Sequence, residues 1–298
     1  MTEQTPALLC PEPAATLPPR HVTWWLRRGR YGVSHLVLAL LALTTLLPFL
    51  WMVLASFKPL NEIESSLNPL PSAGHWQPWN YQDVFKQIRF GRYYFNSVFV
   101  AGWVTVLQTL TSAMAAYAFS RLRWRGRDSV FKLYLATLMV PGVVTMIPNY
   151  ALMVRLHLLD NYLGLIVPAS FSAFGTFLLR QFMLGIPRAL DEAAAIDGAS
   201  HPQIFADVIL PLARPGLVTL AIFTFMGNYG SFFWPLVLIK SDALRTLPIG
   251  MLYFDSVYGR QTNLIMAASV MNITPLIILF VCTQRFLVKG IQLGAVKG

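Results

Sequence analysis

Residues 190–211 read LDEAAAIDGASHPQIFADVILP, a short polar stretch between two strongly hydrophobic segments. Pro187 just before it permits a helix start, acidic residues lie in the first turn, and three alanines favour the helix. Gly198 follows where a left-handed cap ends a helix, Ser200 begins a second helix in which Gln203 completes a capping box, and Pro211 stops that one. The stretch therefore predicts a helix, a tight turn and a second helix.

The first of these two helices has the composition of a docking surface. Its alanines and Gly198 carry almost no side chain, so another protein can approach the backbone closely, and Glu192 offers a charge to an arginine or lysine. The predicted docking residues are Asp191, Glu192, Ala193, Ala194, Asp197 and Gly198. From the local pattern alone, the alternative is an amphipathic loop that packs only on its own bundle, with Glu192 stabilising the helix dipole.

The composition of the chain is that of a membrane protein. Of 298 residues, 55% are hydrophobic and only 12% are charged, and the mean hydropathy is +0.54. Six nearly uncharged runs are each close to the ~20 residues that cross the hydrocarbon core as a helix. These runs are 35–57, 93–120, 130–154, 162–179, 215–239 and 264–283. Backbone amides cannot stay unpaired in lipid and the runs lack strict alternation, so we expect an all-α protein with six transmembrane helices.

The net charge of +10 follows the sides of the membrane. Of 23 lysines and arginines, 15 fall in the N-terminal segment, the loop after the second run, the loop around residues 190–211 and the C-terminal end. The other eight fall in the intervening loops. Because short loops rich in basic residues lie in the cytoplasm, we expect both termini and the docking loop on that side. The basicity is explained by topology and needs no nucleic-acid partner.

The domain organisation expected from the sequence is simple. Residues 1–33 are rich in proline and then arginine, which indicates a disordered cytoplasmic tail, and the first apolar run lacks a cleavage site for a signal peptide. We expect residues 34–298 to form one six-helix membrane domain, with the docking loop at 184–213. Cys10 and Cys282 lie in unrelated settings and predict neither a disulfide nor a metal site.

Several functional classes are disfavoured by what the sequence lacks. None of the six runs contains an aspartate or glutamate, whereas the proton relay of an ion-coupled secondary transporter requires such carboxylates. There is no glycine-rich phosphate loop, and the five histidines lack metal-ligand spacing. No serine and histidine in adjacent runs suggest a membrane hydrolase. We therefore expect no catalytic residue, no metal and no cofactor in this chain, and keep the ion-coupled transporter as the alternative function.

Beyond the docking loop, residues 31–298 resemble the carbohydrate-type permeases of ABC importers, in particular the maltose-type second permease. The loop has the family's spacing: Glu192-Ala193-Ala194, three residues, Gly198, nine residues, Val208 in place of the usual isoleucine, one residue, then Leu210-Pro211. Further matching segments are ASFKPL, NYQDVF, FGRYYFNSVFVAG, AAYAFSRLRWRGRD, SFFWPLVLI and QRFLVKGIQLGAVKG.

The resemblance implies a fold, partners and a location. The fold is that of a type I importer permease in a bacterial or archaeal cytoplasmic membrane. The partners are a second permease subunit, an ATPase dimer that docks on the loops and uses ATP and Mg, and an extracytoplasmic sugar-binding protein.

The fifth run offers candidate contacts for the solute. Asn228, Ser231 and Phe232 share one face if the run is a continuous helix, and Tyr229 flanks them. Amides, hydroxyls and aromatic faces are the groups that hold a sugar, so these four residues are the predicted substrate path. The alternative is structural, because aromatic residues also form the interfacial belt and asparagine also bonds between helices.

Overall fold

The computed structural model describes residues 22–65, 68, 70–72, 74–255 and 259–295. Every regular element in this part of the chain is helical, and it contains no strand. The all-α class expected from the sequence is therefore confirmed. The chain divides into two units, Met1–Trp51 and Met52–Gly298.

The first unit holds most of helix α1 (Val22–Ala55), which contains Pro48. Side chains 31–50 of this helix are exposed in the isolated chain. The helix begins at Val22, ahead of the tail boundary drawn at residue 33, because no proline after Pro19 blocks its extension toward the N-terminus. Residues 1–21 of the predicted tail lie outside the described residues.

The second unit contains the remaining helices. The described α-helices are α2 (Leu60–Ser65), α3 (Asn80–Gln87), α4 (Phe90–Ser120), α5 (Arg127–Ala136), α6 (Met146–Arg155), α7 (Tyr162–Ala169), α8 (Ala173–Leu184), α9 (Ala189–Ile196), α10 (His201–Gln203), α11 (Leu210–Leu212), α12 (Arg214–Tyr229), α13 (Phe233–Leu238), α14 (Leu247–Gly250) and α15 (Thr262–Ala295). Segments Thr137–Met139, Asp242–Leu244 and Met251–Asp255 are 3₁₀-helical, and Ile204–Ile209 is π-helical.

Between three and five spans are long and apolar enough to cross a membrane in the described part of the chain. Tyr31–Ala55, α4 and Thr262–Gln284 qualify as single helices. Helices α7 and α8 qualify as a pair bent by 42°, and His201–Leu212 with α12 as a pair bent by 78°.

The run at 130–154 is not one continuous helix. Helix α5 passes into the 3₁₀ segment, and α6 begins only at Met146. The break lies at Pro141, whose ring disfavours helical backbone in the preceding residue; Val140 accordingly has φ −81° and ψ 115°. The proline-glycine pair in the middle of the run therefore accounts for the break.

Helix α4 is the central helix of the second unit. It packs against α8 and α12, and α12 in turn packs against α15. The approach of α8 to α4 is close because Gly175 has no side chain: a Cβ there would lie 2.6 Å from Ser112 Oγ. Gly216 of α12 meets Phe182 of α8 in the same way, at 2.6 Å. Small residues at crossings are the usual means by which membrane helices pack.

Three clusters of buried apolar side chains form the core. One joins α3, α4, α14 and α15, and a second joins α4, α6, α7 and α13. The third contains Ala116 of α4, Leu179 of α8 and Leu220 of α12 together with Ile204 and Ile209 of the π segment. This third cluster therefore anchors the second half of the predicted docking loop in the bundle.

Candidate functional site

The first half of the docking loop is a capped helix. Helix α9 ends before Gly198, whose φ of +86° is the left-handed conformation that the sequence predicts there. The Gly198 N–H donates to the Ala195 carbonyl at 3.1 Å, and the Ala199 N–H donates to the Ala194 carbonyl at 2.9 Å. These are the two bonds of a Schellman cap. Glycine is thus required at 198 by its backbone conformation, since a Cβ would meet nothing within 4 Å.

The second half of the loop begins at Ser200, whose N–H donates to Gln203 Oε1 at 2.8 Å. The helix does not stop at Pro211, as the sequence analysis expects, but continues to Leu212. The reason is the π segment: the Leu210 N–H donates to the Phe205 carbonyl, five residues back. This wider turn accommodates a proline that has no N–H and whose ring clashes with an α-helical carbonyl.

Most of the predicted docking residues are exposed. Glu192, Ala193, Asp197 and Gly198 are exposed, whereas Ala194 is half-buried. None of the ion pairs among the described residues includes Glu192 or Asp197. Sequence reasoning missed an exposed apolar group of the same helix, Ile196, which is 85% exposed. The signal was available as an isolated isoleucine within a polar helix end.

Asp191 lies on the opposite side of α9 and faces the bundle. Its Oδ2 lies 3.1 Å from Nη1 of Arg121 at the end of α4, and the two side chains are 20% and 4% exposed. Arg121 Nη2 also donates to the carbonyls of Met183 at 2.5 Å and Ile186 at 2.9 Å, in the segment that leads into α9. Asp191 is therefore placed to hold α9 on the bundle, and Arg121 joins it as a residue that sequence reasoning did not select.

The end of α4 also holds the second half of the loop. Tyr117, one turn before Arg121, donates its hydroxyl to the His201 carbonyl at 3.3 Å. Its ring lies 5.1 Å from that of Phe205 in the π segment. Both halves of the docking loop are thus attached to one helix terminus, so the loop and the end of α4 are expected to move together.

A separate cavity of about 200 Å³ lies among α4, α6, α7, α12 and α13. Two of the predicted substrate residues, Asn228 and Ser231, line it. So does Trp234, three residues after Ser231, which sequence reasoning did not select. Asn149 and Thr246 also line it, and sequence reasoning missed these two because they come from distant segments. The buried hydroxyl of Thr246 has no hydrogen-bond partner in the described part of the chain. The cavity therefore offers neutral polar groups beside an indole face.

The other two predicted substrate residues are not part of this cavity. Helix α12 ends at Tyr229 and α13 begins at Phe233, so the continuous helical face expected across residues 228–235 does not exist. Tyr229 is buried and donates its hydroxyl to the Asn272 carbonyl of α15 at 3.2 Å, while Phe232 is 42% exposed. The break falls at Gly230, a residue with low helix propensity.

A carboxylate clamp ties together two loops beside the cavity. Asp160 has a left-handed backbone, φ 52°, and its Oδ1 accepts hydrogen bonds from the N–H groups of Lys240 at 2.9 Å and Ser241 at 2.8 Å. The Ser241 hydroxyl donates to the other oxygen. These bonds, above all those from Ser241, hold the pKa of Asp160 below its ordinary value of 3.8, although burial opposes them. The Asp160 N–H also donates to the carbonyl of Leu238, a cavity-lining residue, at 2.8 Å.

Among the residues that the structure describes, no three histidine, cysteine, aspartate or glutamate side chains are grouped closely enough to hold an ion.

Comparisons with known proteins agree on one family. Residues 108–291 match the family model described as "Binding-protein-dependent transport system inner membrane component". The arabinooligosaccharides transport system permease protein of Halalkalibacterium halodurans is 34% identical over 262 residues, which cover 87% of this chain and 94% of that protein. The sn-glycerol-3-phosphate transport system permease protein of Yersinia pestis is 32% identical, over 89% of this chain and 97% of that protein.

A solved structure agrees with these relatives. It belongs to a bacterial ABC transporter involved in the import of the acidic polysaccharide alginate. One of its chains superimposes with a TM-score of 0.78 and 25% identity, covering 91% of this chain and 99% of that one.

Proposed function

We propose, from the premise that this chain belongs to the binding-protein-dependent transport system inner membrane components, that it forms half of the path of an ATP-driven sugar importer. Membership of the family makes the chain a permease component of an ABC importer. The finer assignments are the cargo, the partners, the docking role of α9 and the number and orientation of the spans.

The chemistry of the cavity supports a neutral saccharide as the cargo. The proteins similar to this chain carry names that refer to arabino-oligosaccharides, glycerol phosphate and the acidic polysaccharide alginate. No charged side chain lines the cavity here, whereas amide, hydroxyl and indole groups do. Such groups bind the hydroxyls and C–H faces of an uncharged sugar. At about 200 Å³ the cavity is smaller than the ~300–1,000 Å³ of a typical ligand pocket, so a second permease subunit supplies the other wall.

The observation that carries the docking proposal is the two-sided character of α9. Its inner side is held by the buried Arg121–Asp191 pair, and its outer side presents Glu192, Ile196 and the backbone around Gly198. The exposed isoleucine lies beside a carboxylate that has no ion pair among the described residues, and Asp191 attaches the helix to the bundle. Such a surface is suited to bind in a groove of another protein. We assign that groove to a cytoplasmic ATPase dimer, which binds ATP and Mg and performs the hydrolysis that this non-catalytic chain does not.

The proposed topology has six spans with both termini in the cytoplasm of a bacterial or archaeal inner membrane. The broken run at 130–154 then serves as one span with its interruption at Pro141, α7 with α8 serves as another and α12 as a third, while His201–Leu212 stays in the cytoplasmic docking loop. Such interruptions occur in membranes where protein or a water-filled cavity surrounds the freed backbone groups. The remaining partner is an extracytoplasmic sugar-binding protein.

Photo-crosslinking tests the docking assignment. With benzoylphenylalanine at position 196, the importer expressed with its ATPase should crosslink to that subunit in the membrane. The same label at Ile147, which is 74% exposed on α6, is the matched control and should not. Crosslinking at 147 and not at 196 would place the ATPase elsewhere.

Uptake by the reconstituted complex, measured with a panel of neutral and acidic sugars, tests the cargo. ATP-dependent uptake of a neutral sugar is the expected result. Uptake that persists without the ATPase would favour an ion-coupled transporter instead.

A further inference from the structure

A second cavity, of about 490 Å³, lies at the start of α5, outside the docking face and the sugar cavity. Its lining, which we term the arginine pocket, includes Arg123, Trp124, Arg127, Asp128, Ser129 and Arg188. The residues come from two places in the chain, the turn between α4 and α5 and the residue that precedes α9. The function proposed above uses none of them.

The charges of the arginine pocket do not balance. Its carboxylate, Asp128, is already neutralised, since Oδ1 lies 3.0 Å from Arg127 Nε and 3.9 Å from Arg180 Nη2. The side chains of Arg123 and Arg188 enter no ion pair or hydrogen bond found among the described residues. Two of the arginines that line the pocket therefore have no counter-charge among the described residues. Such an arrangement is suited to a phosphate, whose oxygens accept bidentate hydrogen bonds from arginine.

The backbone at the N-terminus of α5 also favours the binding of an anion. Helix α5 has ten residues and starts at Arg127, directly after Gly126 with φ +84°. The N–H groups of its first turn, at Asp128 and Ser129, have no acceptor within the helix, and the helix dipole places partial positive charge there. An anion in the arginine pocket thus meets backbone donors as well as guanidinium groups.

The surroundings of the pocket distinguish a lipid from a soluble anion. Trp124 is 42% exposed at the rim, and Val130 and Leu133 of α5, beyond the pocket, are 45% and 71% exposed. A phospholipid satisfies both regions, because its headgroup enters among the arginines while its acyl chains cover the apolar side chains. We propose that the arginine pocket binds the phosphate headgroup of an anionic phospholipid. Its position in the inner leaflet rests on the topology proposed above, whereas its affinity for the lipid does not.

Lipid retention in the purified importer tests this proposal. The complex is stripped of lipid in detergent and exposed to vesicles of phosphatidylcholine with or without phosphatidylglycerol, and bound lipid is counted by native mass spectrometry. Each arginine that donates charge-assisted hydrogen bonds to the phosphate contributes about tenfold or more in affinity, above the about fivefold of a general membrane-surface charge, so Arg123→Gln with Arg188→Gln should weaken phosphatidylglycerol binding about 100-fold. Arg125→Gln is the matched control, since it removes an exposed arginine of the same turn that does not line the pocket. It should retain the lipid.

The competing outcomes are distinct. Equal losses in the double variant and in Arg125→Gln would show general surface attraction and overturn the site. Displacement of the lipid by inorganic phosphate at comparable concentration would replace it with a soluble anion. Unchanged lipid binding together with loss of the ATPase from the complex would make the pocket a protein contact. Lipid binding is measured without transport, so failure of the sugar or docking assignments leaves this test intact.

Discussion

The buried pair between Arg121 and Asp191 should determine how firmly α9 is held on the bundle. We consider Asp191→Asn, which preserves shape and removes the charge, and Arg121→Met, which preserves the aliphatic stem of the arginine. If the pair positions the docking helix, each variant should loosen α9 locally while α12 and α15 keep their packing. Local opening of this kind is separate from global unfolding.

The size of the effect follows from the contacts. Breaking a buried ion pair by removing one partner costs about 3–5 kcal/mol when both groups are fully buried. In Asp191→Asn, Arg121 keeps two carbonyl acceptors and position 191 is 20% exposed, so we expect about 2 kcal/mol, or a 30-fold increase in opening. Arg121→Met strands a carboxylate and two carbonyls, so its cost should approach about 4 kcal/mol.

Hydrogen exchange of the full chain in lipid nanodiscs, followed by mass spectrometry, measures the opening of residues 189–196. Asp207→Asn is the matched control, because it removes an exposed carboxylate of the same loop that has no ion pair among the described residues. The double variant should lose less than the sum of the two single variants, by about 1–3 kcal/mol, if the groups interact directly. Additive losses, or an α9 that exchanges as slowly in Asp191→Asn as in the native chain, would refute this account.

Three further predictions concern the turn, the clamp and the cavity. Gly198→Asp should insert into the membrane normally but abolish uptake, because the left-handed φ of +86° at this position strains any side chain and disturbs the cap of the docking helix. Glu192→Lys should have a weaker effect, and normal uptake in Gly198→Asp at normal expression would contradict the role of the loop in coupling to the ATPase. The clamp holds the pKa of Asp160 below its ordinary value of 3.8, so its stabilisation is complete at neutral pH and is lost as the pH falls below that value. Asp160→Asn should therefore lower the melting temperature of the purified complex at pH 7, and a difference that does not shrink on acidification would argue against the clamp. Asn228→Ala and Thr246→Val should reduce sugar uptake while assembly and the ATPase activity stimulated by the loaded binding protein are retained, whereas Phe232→Ala, outside the cavity, should leave uptake unchanged.

Local signals in the sequence predicted the backbone of the docking loop well. A glycine after an alanine-rich helix and a serine three residues before a glutamine depend on neighbours within one turn, so their outcome can be derived without the fold. The left-handed conformation of Gly198 and the bond from Ser200 to Gln203 follow from such signals. The all-α class followed from composition for a similar reason, since lipid leaves the backbone few alternatives.

The positions that the sequence did not predict depend on partners far away in the sequence. Asp191 and Glu192 are equivalent acidic residues in the first turn of α9, and only the position of Arg121, at the end of another helix, turns one inward and leaves the other exposed. The continuous helical face expected for Asn228, Ser231 and Phe232 was wrong for a different reason, because a helical period was extended across Gly230, whereas the helix ends at Tyr229. Asn149 and Thr246 enter the cavity through tertiary packing that no local pattern encodes.

One helix connects the proposed docking surface with the proposed sugar cavity. Helix α4 runs without a break from Phe90 to Ser120, followed directly by Arg121, so its end carries the contact to α9. About 20 Å back along the same helix, Gln108 donates to Thr224 Oγ1 at 3.0 Å, and the carbonyl of Thr224 accepts from Asn228, which lines the cavity. A displacement of α9 that moves Arg121 therefore also moves α4, and the other contacts of α4 include the wall of the cavity. Because α4 also packs closely against α8 at Gly175, and close-packed interiors transmit strain, α8 is expected to follow the same displacement.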